Sequence, residues 1–456
     1  MRTYPVPLPP AEDSPSGGLM LRLRARGFRF LYVIDSVSLF VMMQLIMVAR
    51  FGFEWPTYPF SHYLVGFLLA TAIHLGVYYF GGMFEYEQRL GRPPWLPKAA
   101  LLTGVAILFS TAIALGTGRY LVPRGNLLMF VIAAPVLIAF NRWYARGIRS
   151  RRFGAPRVLL VGPPEEVQSV QHHMRESGSD ASVVGTASTT SDLLAAVETT
   201  DATDVLLLGG DRLEEIYPAP LDQLERRLIG VYHRVQPADT LLGLQRSRQI
   251  AGIPFVALRT HALPRYRLRL KRLLDLTLLL VALPMIALVV GLAALYVFSR
   301  AGRNIIYRQE RVGHGGQIFE VLKFRTMIHD AEAMTGATLA LENDPRVLPG
   351  MRWFRAARLD ELPQLWNVVR GEMSLVGPRP ERPAFVSRFE KRLPGYSRRH
   401  DVPPGITGLA QIRGQYQTEP GYKLGHDLHY VVNWSPVLDL MIMLETIVVM
   451  ARRLAR

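Results

Sequence analysis

Apolar residues in this chain gather first into long unbroken runs, and only later into short amphipathic patterns. Four runs come first, at 30–48, 63–81, 99–116 and 127–144. Each is close to the ~20 residues a helix needs to cross the hydrocarbon core of a bilayer. Basic residues alternate between the connections. Arg22, Arg24, Arg26 and Arg29 precede the first run, Arg89, Arg92 and Lys98 separate the second from the third, and Arg142, Arg146, Arg149, Arg151 and Arg152 follow the fourth. The other two connections carry only Arg50, and Arg119 with Arg124. Positive-inside bias therefore predicts a four-helix transmembrane bundle over 28–150 with both ends on the cytoplasmic face. This regular alternation argues against a buried soluble bundle. Asp35 is the main acid within the runs. It lies near the cytoplasmic end, where an anchoring role is favoured over one in a substrate pathway. Residues 1–27, rich in Pro and Ser at their start, are expected to be disordered. They are not expected to form a signal peptide, because no small-residue cleavage site precedes the further membrane-length runs.

From 151 to 262 the pattern changes. Arg157-Val-Leu-Leu-Val-Gly162 and Asp204-Val-Leu-Leu-Leu-Gly-Gly210 read as buried parallel strands, with helical patterns following at 165–176 and 213–227. Strands alternating with helices predict a Rossmann-like βαβ domain on the cytoplasmic side. Dinucleotide binding would need Gly-x-Gly-x-x-Gly after the first strand. The turn is instead Gly162-Pro163-Pro164-Glu165-Glu166, with two prolines and two acids where a pyrophosphate needs bare amides. A spacer or dimerisation module is the better reading.

The third region, 265–456, opens on another apolar segment. Lys271, Arg272 and Asp275 begin it, Pro284 interrupts it, and Arg300 and Arg303 close it. A proline inside a helix removes one hydrogen bond and kinks it. Basic residues at both ends suit a re-entrant helix over 270–299 that enters one leaflet, bends at Pro284 and returns. The alternative is a fifth crossing, which would put everything after Arg300 on the other side of the membrane.

Composition narrows the possibilities. A chain of 456 residues allows two or three domains. Its 49% hydrophobic content and mean hydropathy of +0.15 fit membrane segments joined to soluble domains. Lys and Arg total 53 against 37 acids, a formal charge of +16. In so hydrophobic a chain this excess favours a lipid surface and phosphate-rich substrates over nucleic acid. With no cysteine, disulfides and thiolate metal sites are excluded.

The candidate chemistry lies after the apolar segment of this third region. Lys323-Phe-Arg325-Thr-Met327 follows an extended stretch, and Arg352, Arg355 and Arg358 lead on helical spacing into Asp360-Glu361. Gly377-Pro-Arg379-Pro380 and Pro404-Gly405-Ile-Thr-Gly408 are rigid turns. Guanidinium forks hold phosphate oxygens bidentately. A carboxylate among them could share Mg²⁺ with substrate phosphates, or attack phosphorus itself. Nearby positive charge favours both roles. A solvated network of ion pairs is the bland alternative on physical grounds alone.

The string from Leu359-Asp-Glu-Leu-Pro-Gln364 through Gly377-Pro-Arg379-Pro380 resembles the signature of bacterial sugar transferases. These are the monotopic phosphoglycosyl transferases that begin exopolysaccharide, capsule and O-antigen synthesis. The resemblance extends over Lys271 to Asp275, Arg308 to Gly313, Lys323 to Met327, His400 to Gln411 and Asp427 to Asp439. The layout of the first two regions is similar to the large, polyprenyl glycosylphosphotransferase branch, which implies a homodimer in the bacterial inner membrane. The resemblance implies that Asp360 is a nucleophile attacking a UDP-sugar, with undecaprenyl phosphate as the acceptor. It implies Mg²⁺ as cofactor, with Asp360 and Glu361 as metal candidates; Glu361 would hold the metal or manage a proton. Arg355 and Arg379, with Lys323 and Arg325 in a matching motif, would hold substrate phosphate. Pro284 would bend the re-entrant helix, and Lys271 and Arg272 would fix it at lipid headgroups. The chain departs from the family pattern at Arg358, where Ser or Thr is usual. It departs again at Gln411-Ile-Arg413, which makes Gln411 and Arg413 the candidates for nucleotide or sugar recognition.

Overall fold

The computed structural model describes residues 18–53, 60–85, 90, 95–176, 181–209, 213–217, 219–235, 248–258, 263–328, 344–393, 395–413 and 420–454. Residues 1–17, Arg89 and Arg92 lie outside them. The chain forms two compact units, one spanning Pro10–Thr260 and one containing His261–Arg456.

The first unit begins with helices α1 (Gly18–Phe51), α2 (Phe60–Phe80), α3 (Trp95–Thr117) and α4 (Arg124–Phe153). Each contains a stretch long and apolar enough to cross a membrane. α1 packs on α2 and α4, and α3 packs on the same two helices. Their shared core holds Leu39, Met43, Phe67, Tyr78, Phe130 and Ile138, while Val33, Leu45, Leu101, Leu108 and Leu128 remain exposed. Helices apolar on every side are what a membrane environment requires. α1 starts at Gly18, so residues 18–27 have helical backbone rather than continuing the N-terminal segment. Their Leu, Met and Arg are strong helix formers.

Asp35 is fully buried in an anchoring network. Arg142 grips it bidentately, Nη2 to Oδ2 at 2.7 Å and Nη1 to Oδ1 at 3.2 Å, and Asn141 Nδ2 donates to Oδ1 at 3.0 Å. Arg142 Nε also donates to the Met83 carbonyl at 3.2 Å. Arg142 is therefore a core residue tying α4 to α1 and to the end of α2, and it adds no free charge to the segment after α4.

The same unit continues into a sheet: β1 (Arg157–Val161), α5 (Pro164–Glu176), β2 (Ser182–Ala187), α6 (Leu193–Thr200), β3 (Asp204–Leu207), α7 (Leu213–Ile216), α8 (Leu221–Arg226), β4 (Gly230–Arg234), β5 (Arg248–Ile250) and β6 (Ile253–Leu258). The strand order is β2-β1-β3-β4-β6-β5. β2, β1, β3 and β4 are parallel, while β6 and β5 each run antiparallel to their neighbour. The helix expected over 213–227 is split into α7 and α8. Pro218 and Pro220 lack the N–H that a continuous helix needs at those positions. Leu90, from the connection between α2 and α3, is buried with Val158, Leu160, Val167 and Leu206 on one face of this sheet.

The second unit opens with α9 (Arg265–Ala301), a single 37-residue helix running through Pro284. The hairpin β7 (Ile306–Val312) and β8 (Ile318–Phe324) follows, then α10 (Arg352–Ala356), a 3₁₀ turn (Leu359–Glu361), α11 (Gln364–Arg370), β9 (Ser374–Val376) and α12 (Pro383–Glu390). A second 3₁₀ turn (Tyr396–Asp401), β10 (Gly405–Thr407), α13 (Leu409–Arg413), α14 (Pro420–Asn433) and α15 (Pro436–Leu454) complete it. β9 and β10 pair in parallel.

Burial along α9 is confined to its two ends. Lys271, Asp275 and Leu279 are buried at the first and Ala293 and Val297 at the second, with no buried residue from 280 to 292. The exposed stretch includes Leu280, Val281, Met285, Leu288 and Leu292. Lys271 is not placed for headgroups. Lys271 is 1% exposed and pairs with Asp439 of α15 at 2.7 Å. Arg272 donates to the carbonyls of Val368 and Val369 at the end of α11. Asp275 accepts from the Leu375 N–H of β9 at 3.2 Å. A buried ammonium needs a buried partner, and Asp439, far along the sequence, supplies it.

Candidate active site

The site is built on the turn between α10 and α11. α10 stops at Ala356, and Arg358 adopts a left-handed conformation (φ 54°, ψ 22°), so the helical rise of arginines ends before the acids. The next residues form the 3₁₀ turn, in which successive side chains diverge by about 120°. Glu361 points inward and is 6% exposed, whereas Asp360 is half-buried.

Three cations converge on Glu361. Lys323 Nζ and Arg379 Nη2 reach Oε1 at 3.2 and 2.9 Å, and Arg358 Nη1 reaches Oε2 at 3.2 Å. Lys323 comes from β8, which α11 fixes through Asn367. The Leu322 N–H donates to Asn367 Oδ1 at 3.0 Å, and Asn367 Nδ2 donates to the Glu320 carbonyl at 2.7 Å. Arg379 comes from the turn after β9. The Gly377 N–H donates to the Thr407 carbonyl at 2.8 Å, and the Gly405 N–H to the Pro378 carbonyl at 2.9 Å. A Cβ on Gly405 would lie 2.0 Å from the Gly377 nitrogen, so this close approach requires glycine.

The adjacent carboxylates diverge in charge behaviour. Burial pushes the Asp360 carboxyl above its ordinary value and Glu361 adds to this; Lys323, Arg355 and Arg379 oppose without cancelling it. Burial would raise Glu361 as well, but Arg379, Lys323 and Arg358 hold it well below the usual carboxylate range. Burial also lowers the Lys323 ammonium, with Glu361 opposing. Such splitting of neighbouring acids is how a site assigns them different work. Asp360 makes no hydrogen bond or ion pair among the described residues, which leaves its oxygens available.

Of the residues singled out from sequence, Asp360, Glu361, Lys323 and Arg379 come together. Gln411 joins them, its Oε1 accepting from Arg379 Nη1 at 3.3 Å. Arg355 lies alongside, donating to Thr326 Oγ1 at 3.2 Å and acting electrostatically on Asp360. Arg325 turns away and donates to the Ala301 carbonyl at the end of α9. Arg413 is exposed and pairs with Glu445 of α15 at 3.2 Å. Asn367, Arg399 and Asp427 were not singled out. Asn367 sits inside the signature string, but nothing local shows that its amide would span to β8.

The donor set bears on Mg²⁺. Among the described residues no group of three or more His, Asp or Glu is poised to hold a metal. The two oxygens of Glu361 are already engaged by Lys323, Arg379 and Arg358. Of the two acids, only Asp360 offers a carboxylate without a hydrogen bond or ion pair among the described residues. This fits Mg²⁺ shared with substrate phosphates, because that ion commonly keeps only one or two protein carboxylates.

Residues 266–453 match the family model described as bacterial sugar transferase. Over 382 residues the chain is 31% identical to a UDP-glucose:undecaprenyl-phosphate glucose-1-phosphate transferase of Xanthomonas campestris pv. campestris, covering 76% of this chain and 78% of that protein. The chain belongs to the bacterial sugar transferase family. Two further relatives within the similarity are shorter in coverage. A protein of the same name from Caulobacter vibrioides is 38% identical over 222 residues, which is 46% of this chain and 83% of the relative. A UDP-N-acetylgalactosamine-undecaprenyl-phosphate N-acetylgalactosaminephosphotransferase of Aeromonas hydrophila is 34% identical over 222 residues, and there the match spans 52% of the relative's length. The family match, 266–453, contains the whole Asp360 site, and membership makes the chain a phosphoglycosyl transferase.

Proposed function

We propose that this transferase moves a sugar 1-phosphate from a UDP-sugar to undecaprenyl phosphate and releases UMP, through a sugar-phosphoryl aspartate on Asp360. The observation that carries the reading is a free carboxylate held beside Lys323, Arg355 and Arg379 while its neighbour is saturated by cations. An Asp360 oxygen attacks the phosphorus that bears the sugar, and the bond to UMP breaks with its electron pair leaving on UMP. A phosphate oxygen of the polyprenyl acceptor then attacks the same phosphorus, and the acyl phosphate bond breaks to restore the carboxylate. Lys323 and Arg379 stabilise charge as it develops on the transferred phosphoryl group. Asp360 would hold Mg²⁺ together with substrate phosphate, and the bound ion would supply further charge neutralisation. The product class is the lipid-linked sugar that opens exopolysaccharide, capsule or O-antigen synthesis.

Membranes incubated with a panel of UDP-sugars, Mg²⁺ and undecaprenyl phosphate test this. At least one donor should yield UMP, and Asp360→Asn should reduce the rate by at least about a thousandfold. UMP release that persists in that variant, or that no donor elicits, sinks the proposal.

The membrane arrangement belongs to the same reading: a four-helix bundle (α1–α4) in the inner membrane, and α9 re-entrant from the cytoplasmic face. The burial pattern of α9 supports it, since both ends are held by one compact unit while the middle presents apolar side chains. Exposed Trp366 lies near the first end and Trp353, hydrogen-bonded to Tyr296 Oη at 3.0 Å, at the second, as interfacial aromatics do. The chain has no cysteine, so single-cysteine labelling is clean. Arg267→Cys and Ser299→Cys should both react only from the cytoplasmic side; labelling from opposite sides would establish a crossing instead.

A further inference from the structure

Behind Arg379 lies a second ion pair, wholly buried, that takes no part in the proposed phosphoryl transfer. Arg399 is 4% exposed and Asp427 3%. Arg399 Nε and Nη2 meet Asp427 Oδ2 at 3.0 and 2.7 Å, and Nη1 donates to the Tyr396 hydroxyl at 2.7 Å. Nη2 also donates to the backbone carbonyl of Arg379 at 2.9 Å. A buried pair of this kind is weak evidence for stability, because apolar replacements often do as well. Its target is more informative. The peptides around Arg379 are pinned by ordinary means: Gly377 and Pro378 by the β9–β10 pairing, Pro380 by Arg311 Nη1 at 3.1 Å, and Glu381 by the Val312 N–H at 2.9 Å. The carbonyl of Arg379 itself receives a buried guanidinium.

We propose that Arg399, oriented by Asp427 and Tyr396, is a positioning residue that fixes the Arg379 backbone and so aims its guanidinium at Glu361, Gln411 and the substrate diphosphate. This rests on reading the site as a UDP-sugar site. Small misplacements of a phosphate-holding group carry large rate penalties, so a strut behind it matters more than its distance from the chemistry suggests.

A double-mutant cycle on the purified full chain tests the idea. Asp427→Asn and Tyr396→Phe are made in the parental chain and in Arg379→Ala, with kcat/KM for the best UDP-sugar and equilibrium affinity for UDP as readouts. In the parental chain Asp427→Asn should lower both, kcat/KM by roughly ten- to a hundredfold. In the Arg379→Ala background the same change should cost less than about threefold, because the group it positions is gone. Tyr396→Phe removes only a hydroxyl and should repeat the pattern at about threefold, which decides the matter should Asp427→Asn fail to fold. Equal losses in both backgrounds, or no loss of UDP affinity in either variant, overturn the proposal. Should Asp360→Asn retain UMP release, the catalytic reading fails while UDP affinity still judges the strut.

Discussion

The turn at Leu359–Glu361 and the crevice of the middle sheet are both places where the fold could admit a phosphate. In the sheet, the chain passes from β1 to β2 on one side and returns to β3 on the other, so β1 and β3 flank a topological switch point. Nucleotides commonly bind at the carboxyl ends of such strands. Here those ends carry Gly162-Pro163 and Leu208-Gly209, and a Cβ on Gly209 would meet the Pro163 ring at 3.6 Å. The N-terminus of α5 bears Glu165 and Glu166, the latter paired with Arg234 at 3.2 Å. Among the described residues two prolines remove amides and two acids occupy the positive end of the helix, which disfavours a phosphate there. Around Asp360 the opposite holds: four basic side chains surround two acids. Fold outline alone does not supply the convergent charge that a phosphate site needs.

The sharpest way to break this contrast is to remove a cation from the Asp360 site. Lys323→Met keeps the length of the side chain and deletes its charge. UMP release should fall by roughly 10²–10³, the usual consequence of losing one preorganised group at a phosphoryl or oxyanion position. A variant that elutes as the parental chain does and stays within about threefold of its rate would mean the lysine only balances Glu361.

The two sites were not equally legible in the sequence. Gly162-Pro163-Pro164-Glu165-Glu166 is local, so its argument against phosphate can be made from the sequence without any tertiary contact. Asp360, Glu361 and Arg379 were legible as motif residues. Which cation serves which acid was not, because the pairing joins β8, a left-handed residue and a turn after β9. Arg325 shows the difficulty: it sits two positions from Lys323, yet it caps the end of α9. Lys271 shows it again. Basic residues at the start of an apolar segment read naturally as headgroup contacts, but this one is buried on Asp439, and no periodicity links positions so far apart. Arg358 was visible only as a departure from the family pattern; its left-handed backbone places the guanidinium on Glu361.

The smallest expected effects lie in the middle domain, and they sharpen the comparison from the other side. Replacing Glu165 and Glu166 together by Gln should leave UMP release within about twofold, as expected of surface changes away from the chemistry. Gly162→Ala asks a different question. The glycine has φ +154°, and an added Cβ would lie 2.9 Å from Leu208 Cβ and 3.2 Å from the Gly209 nitrogen, both part of the β3 end. Crowding and backbone strain together should destabilise the middle domain by about 1–3 kcal/mol, read as a lower melting temperature. UMP release below that transition should stay near the parental rate. If instead Gly162→Ala lost rate in proportion to an added nucleotide's affinity, with the melting temperature unchanged, the crevice would be a ligand site after all. Such a result would mean that Pro163 and the two glutamates form part of a recognition surface rather than a closed end of the sheet.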